Sequence, residues 1–107
     1  METFAATPEP PYYAVIFTSR RATGDQGYAE MAKRMDELAR EQPGYLGVES
    51  ARENLGITVS YWKDLDSIAK WRANSEHRLA QEKGCEMWYK SFKVRICRVE
   101  KDYGFEK

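Results

Sequence analysis

The chain has 107 residues, in which 17 basic and 17 acidic side chains cancel to no net charge. This length corresponds to a single domain that can bury a modest core. Nucleic acid and anionic membranes both require a basic face, and no apolar stretch is long enough to span a bilayer, so neither is an expected partner.

The first eleven residues are predicted to be a flexible arm, because three prolines remove backbone donors and favour extended chain. This arm, residues 1–11, also lacks the basic and apolar regions of a signal peptide, so we expect a cytoplasmic protein. Residues 12–107 are expected to form the single domain. Its first strand, Tyr12–Arg20, is apolar on both faces and should be covered on both sides.

The clearest helix is predicted at Tyr28–Gln42, where apolar residues recur every three or four positions and a Pro-Gly pair ends the pattern. Two strands follow, at Tyr45–Glu53 and Leu55–Trp62, with a tight turn between them. Alternation along the second of these strands places Tyr61 and Trp62 on opposite faces of the sheet.

A second helix is predicted to begin after Asp64, whose carboxylate can cap the free N–H groups of its first turn. Ile68 and Trp71 lie on one side of this helix. Ser75 is expected to cap a further short helix, which ends at Gly84.

The last strand is predicted at Glu86–Lys101, and we assign Trp88, at its start, to a dimer interface. The order strand, helix, strand, strand, helix, strand predicts an α+β fold, the ferredoxin-like βαββαβ arrangement with an antiparallel sheet and both helices on one face. The other face would be bare and apolar. We therefore expect a homodimer in which two sheets pack face to face.

Metal and cofactor sites are not expected. His77 is the only histidine, and Cys85 and Cys97 are far apart, so the chain offers no convincing set of metal ligands and both cysteines should be free thiols. The chain has no glycine-rich phosphate loop and no dinucleotide-binding fingerprint, so neither a flavin nor a nicotinamide is expected.

A pattern of short segments extends along nearly the whole chain. It consists of Pro43-Gly44-Tyr45-Leu46-Gly47, Tyr61-Trp62-Lys63-Asp64, Trp71, His77, Trp88-Tyr89, Arg95 and Val99-Glu100. With the order of elements, this pattern resembles the antibiotic biosynthesis monooxygenase family. The resemblance covers Tyr12 to Tyr103 and implies a dimeric α+β barrel. It also implies the best-known activity of the family, the cofactor-independent oxygenation of polyaromatic phenols.

The predicted site is a pocket between the second helix and the sheet, because aromatic, basic and imidazole side chains converge there. The candidate catalytic residues are His77, Trp71 and Arg72. The candidate substrate-binding residues are Tyr61, Trp62, Ile68, Asn74 and Arg95. His77 is the one side chain with a pKa suited to proton transfer near neutrality, and the alternative is a surface histidine on a helix. The tryptophans either stack on an aromatic ligand or fill the core.

Three functions remain open. The first is a cofactor-independent monooxygenase acting on a small aromatic, phenolic or quinol-type ligand. The second is a non-catalytic ligand-binding protein of the same fold. The third is a haem-binding or haem-degrading protein, whose relatives place a histidine where this chain has Gln81 and an asparagine near Phe17 or Thr18. Hydroxylating relatives that pair an asparagine with the helical tryptophan are matched here by Ser67.

Overall fold

The computed structural model describes residues 3–107, which fold into a four-stranded sheet with helices on one side. The elements are, in chain order, β1 (Tyr12–Arg21), α1 (Tyr28–Arg40), β2 (Tyr45–Arg52), β3 (Gly56–Trp62), α2 (Leu65–Ala73), α3 (Ser75–Lys83), a π-helical turn (Gly84–Trp88) and β4 (Tyr89–Val99). The predicted order is confirmed.

The sheet has the strand order β2-β3-β1-β4, and each pair of neighbouring strands is antiparallel. This is the arrangement of a ferredoxin-like α+β fold, so the predicted fold class is confirmed. The turn before β2 depends on Gly44, whose φ of +85° is the left-handed conformation that glycine adopts without steric cost.

One face of the sheet, here called the helix face, holds the core. Trp62 lies opposite Tyr13 in the antiparallel register, so both side chains point to this face. Trp62 is fully buried, and Ile68 and Trp71 of α2 pack against it with 2% and 9% of their surface exposed. Val15 of β1 packs against the same cluster.

The other face of the sheet, here called the open face, carries the alternate residues of the same strands. Ile16 lies opposite Val59, and both are only half-buried, while Ile57 is 41% exposed. One corner of the open face is polar, because the Tyr61 hydroxyl donates to Glu49 at 2.7 Å. The apolar part around Ile16, Val59 and Ile57, which Arg95 of β4 borders, is the surface expected to pair with a second copy of the chain.

The start of β4 differs from its prediction. Residues Gly84–Trp88 form a π-helical turn, and the strand begins at Tyr89 rather than at Glu86. The indole N–H of Trp88 donates to the carbonyl of Gln26 at 3.0 Å, and the side chain is buried within its own chain. The assignment of Trp88 to a dimer interface is therefore wrong.

Two further predictions concern absent features. Cys85 and Cys97 are free, as predicted. Within residues 3–107, no helix combines the length and the apolar composition that a membrane crossing requires.

Candidate functional site

Two short helices, α2 and α3, meet at Asn74 beside the core. Asp64 starts α2 as predicted, because its carboxylate accepts the N–H of Ser67 at 2.8 Å. The cap of α3 is Asn74, one residue before the predicted Ser75, and its side-chain oxygen accepts the N–H groups of Glu76 at 3.0 Å and His77 at 3.2 Å. The break between the helices turns the first residues of α3 back toward Trp71.

A stack of three rings runs outward from the core at this break. The rings of Trp62 and Trp71 lie 6.1 Å apart at 25°, and the rings of Trp71 and His77 lie 4.3 Å apart at 10°. Tyr45 meets Trp62 edge to face, and the indole N–H of Trp62 donates to Ser60 at 2.9 Å. The stack connects a fully buried tryptophan to a partly buried imidazole at its outer end.

The hydrogen bond of the His77 ring defines its protonation. Nδ1 lies 3.1 Å from the carbonyl oxygen of Trp71, and because a carbonyl only accepts, Nδ1 must carry the proton. In the neutral ring, the lone pair is then on Nε2. Burial lowers the pKa of His77 below its usual value, Arg72 lowers it further, and the Trp71 carbonyl opposes the shift. The imidazole is therefore neutral at pH 7 and can accept a proton on Nε2.

Two predicted site residues accompany His77 at the surface. Arg72 is exposed on α2, where it borders a shallow depression with Arg78 and Gln81. Asn74 is committed through its side chain to the first turn of α3. The side-chain oxygen of Asn74 is bonded to two backbone N–H groups, which leaves only its NH2 group for the predicted role in substrate binding.

Two other predicted residues lie on the wrong face of the sheet for a pocket under α2. Tyr61 lies opposite Ala14 and Arg95 opposite Ile16, so both point to the open face. The expectation that Tyr61 and Arg95 share one pocket with Trp62 is corrected by this alternation. Tyr61 is also protonated at neutral pH and cannot accept a proton there, because burial and the neighbouring Glu49 raise its pKa to about 12.

The space between α2 and the sheet is occupied by protein, since Trp62, Ile68 and Trp71 pack against each other there. A cleft of about 630 Å³ lies between α1 and α3. Its apolar lining comes from Met31, Leu79 and Trp88.

The α1–α3 cleft is bridged by an ion pair in which Arg34 binds Glu76 through two hydrogen bonds, of 2.9 and 3.0 Å. Sequence reasoning missed this cleft. The one available signal was an apolar Leu79 on the otherwise polar α3. Within the part of the chain that the structure describes, no three His, Cys, Asp or Glu residues are grouped as metal ligands.

Comparison with known sequences places these features in a family. The family model for antibiotic biosynthesis monooxygenase matches residues 11–83. The chain is 52% identical over 108 residues to the uncharacterized protein YqjZ of Bacillus subtilis (strain 168), covering 99% of this chain and 95% of that protein. It is 26% identical over 98 residues to the jasmonate monooxygenase ABM of Pyricularia oryzae, covering 81% of this chain and 43% of that protein.

The fold is also shared with solved structures. A mutant of SnoaB, a cofactor-independent oxygenase from Streptomyces nogalater, matches with a TM-score of 0.73 and 12% identity, over 85% of this chain and 95% of that chain. At this identity the likeness shows a common fold alone. The family model, by contrast, matches more than half of the chain. The chain belongs to the antibiotic biosynthesis monooxygenase family.

Proposed function

We propose that the protein is a cofactor-independent monooxygenase that oxidises a small phenolic or quinol-type aromatic substrate, with His77 as the general base. The observation that carries this proposal is the geometry of His77. Its ring is stacked on Trp71 and its Nδ1–H donates to a carbonyl, so Nε2 is a neutral acceptor at pH 7. The base is therefore in its active protonation state at neutral pH.

The reaction needs no other reductant. His77 removes the phenol proton, and the resulting phenolate passes one electron to O₂, giving a phenoxyl radical and superoxide. These recombine through a new C–O bond, and loss of water leaves a quinone. One phenol and one O₂ thus give one quinone and one water, and the substrate supplies all four electrons.

The neighbours of His77 support the same chemistry. The positive charge of Arg72 lowers the pKa of His77, so it acts on the same region and would also favour a phenolate there. Both faces of the Trp71 ring are occupied, by Trp62 and by His77, so Trp71 supports the imidazole rather than the substrate, and Ile68 packs against the same cluster.

The family relatives support oxygenase chemistry in general terms. A jasmonate monooxygenase and a cofactor-independent oxygenase are among the proteins that this chain is similar to. Neither identifies the substrate of this chain, because the first is a distant relative and the second shares the fold at low identity.

Oxygen uptake tests the proposal directly. Metal-free protein is mixed with a panel of naphthols and hydroquinones in aerated buffer, and consumption above the rate without protein is measured. We expect His77→Ala to lower turnover by about 10²-fold or more, with loss of the acidic limb of the pH profile. Glu82→Ala, an exposed position on α3, serves as the control and should retain the parent rate. Equal turnover of the parent and His77→Ala would exclude His77 as the base.

The second candidate is a non-catalytic ligand-binding protein, and the α1–α3 cleft favours it. A cleft of about 630 Å³ has the size of a small-molecule site, its lining combines charged side chains with Met31, Leu79 and Trp88, and it does not depend on His77. Titration of the same phenols followed by tryptophan fluorescence, with no oxygen uptake above background, would favour this function. A Soret band on addition of haem would point to a haem-binding protein.

We further propose that the protein is a homodimer in which two open faces pack together. The half-buried Ile16 and Val59 and the exposed Ile57 support this arrangement, since an apolar sheet surface is stabilised by a second layer. Sedimentation equilibrium at micromolar concentration measures the mass, and a stable monomer would contradict the proposal.

A further inference from the structure

Asn74 joins α2 to α3 through three groups, which are its backbone N–H, its backbone carbonyl and its side-chain oxygen. Its N–H donates to the carbonyl of Trp71 at 3.1 Å, which closes α2. Its carbonyl accepts the N–H of Arg78 at 2.9 Å, which is the first backbone bond of α3. Its side-chain oxygen accepts the N–H groups of Glu76 and His77. One residue therefore sets the angle between the two helices.

The same joint holds His77 at three points. Its backbone N–H is bonded to Asn74, its Nδ1–H is bonded to the carbonyl of Trp71, and its ring lies flat on the Trp71 indole. The carbonyl of Trp71 thus accepts two donors, the N–H of Asn74 and the ring of His77. A carbonyl oxygen has two lone pairs, so this arrangement is complete without a further donor.

We infer that Asn74 is a positioning residue that fixes His77 in the Nδ1–H tautomer, so that Nε2 is the atom that accepts the substrate proton. The catalytic part of this inference rests on the proposed function, whereas the part that concerns the tautomer of His77 stands without it. If the joint were loosened, the ring would leave the Trp71 carbonyl and divide between its two tautomers as it does in water.

The tautomer can be measured without a ligand, because His77 is the only histidine and gives the only imidazole signals. In ¹⁵N spectra of the protein labelled at histidine, we expect the neutral parent to show a protonated Nδ1 and an unprotonated Nε2. Asn74→Ala should shift the population toward the Nε2–H tautomer and raise the histidine pKa toward 6.5. Asn74→Ser, which retains a capping oxygen, should restore the parent spectrum.

A matched control separates positioning from general helix loss. Asp64→Ala removes the corresponding cap of α2, where the carboxylate accepts the N–H of Ser67. It should destabilise the protein by a similar amount and leave the His77 tautomer unchanged. If Asn74→Ala does not fold, Asn74→Gly replaces it, because glycine at a cap costs little stability and also lacks the oxygen.

Two results would overturn the inference. One is an unchanged His77 tautomer in a folded Asn74→Ala or Asn74→Gly protein. The other is an equal change in Asp64→Ala. The turnover of a naphthol is measured on the same variants, with an expected loss of about 10-fold for Asn74→Ala and recovery in Asn74→Ser. A tautomer change with unaltered turnover would establish the positioning and contradict His77 as the base, so the two proposals fail separately.

Discussion

The two faces of the sheet are built from alternate residues of the same strands and yet have opposite character. On the helix face, Trp62 is fully buried under α2. On the open face, its neighbour Tyr61 is half-buried and hydrogen-bonded to Glu49, and Ile57 is 41% exposed. The helix face is closed where α2 covers it, whereas its β4 residues Phe92, Val94 and Ile96 are 40–41% exposed. On the open face, which is the face proposed to meet a second copy, no helix of residues 3–107 covers Tyr61 or Ile57. Substitutions one residue apart should therefore have different consequences.

The largest effect is expected at the centre of the helix face. Trp62→Ala removes a fully buried indole that contacts Trp71 and Tyr45, and it should lower the free energy of unfolding by about 3–5 kcal/mol. Urea denaturation measures this change. Ile57→Ala, on the open face of the same strand, is the control, and because Ile57 is 41% exposed in the single chain it should cost much less at protein concentrations low enough for the dimer to dissociate. Similar costs for both would remove the distinction between the faces.

A pair of neighbouring substitutions compares the two faces most directly. Val15 packs against the core cluster, so Val15→Asp should lower the free energy of unfolding by about 3 kcal/mol or more. Ile16 points to the open face, so Ile16→Asp should leave a folded chain that no longer dimerises. Circular dichroism reports folding and sedimentation reports mass. A folded dimer of Ile16→Asp would show that the open face is not the interface.

A smaller effect is expected at the polar corner of the open face. Tyr61→Phe removes the hydroxyl bonded to Glu49 and should cost about 1 kcal/mol at neutral pH. The folded protein raises the pKa of Tyr61 to about 12, so its contribution is complete below the unfolded value near 10 and is lost as the pH rises through 12.

The alkaline unfolding curve checks this assignment. The parent should lose stability between pH 10 and 12 more steeply than Tyr61→Phe does. Tyr103→Phe changes an exposed tyrosine and provides the comparison. Parallel curves for the parent and Tyr61→Phe would contradict the assignment.

The smallest effect concerns His77, at the edge of the helix face. Folding lowers the pKa of His77, so the unfolded chain binds the proton more readily than the folded protein. The stabilising contribution is therefore present above the unfolded value of about 6.5 and is lost as the pH falls through the folded pKa. Between pH 7.5 and 5.5, the Tm of the parent should fall more steeply with decreasing pH than the Tm of His77→Gln. A steeper fall of Tm in the variant would show that folding does not lower the pKa of His77.

Much of the fold was predictable from local patterns. The apolar stripe of α1 and the alternation in β3 depend on the period of each element, and these placed both within two residues of their observed bounds. The same alternation already separated Tyr61 from Trp62. The pocket prediction joined them because they are adjacent in sequence, and the register shows that adjacency in a strand means opposite faces.

The start of β4 and the environment of His77 could not be predicted in the same way. The indole N–H of Trp88 donates a hydrogen bond to the carbonyl of Gln26, 62 residues earlier in the chain, and no local sequence pattern predicts such a bond. In a continuous helix, a spacing of six residues does not bring two side chains together. His77 stacks on Trp71 because the helix breaks between them. Serine and asparagine are both common caps, so the sequence alone does not decide between Ser75 and Asn74.

The contact between His77 and Trp71 should also make the tryptophan fluorescence of the protein depend on the charge of His77. A protonated imidazole quenches the emission of an indole that it touches, and these two rings lie 4.3 Å apart. Trp62 and Trp88 are buried and lack such a contact with the imidazole, so they supply a steady background. The change in emission with pH thus reads the charge of His77 in unlabelled protein, at concentrations far below those that spectroscopy with isotopes requires.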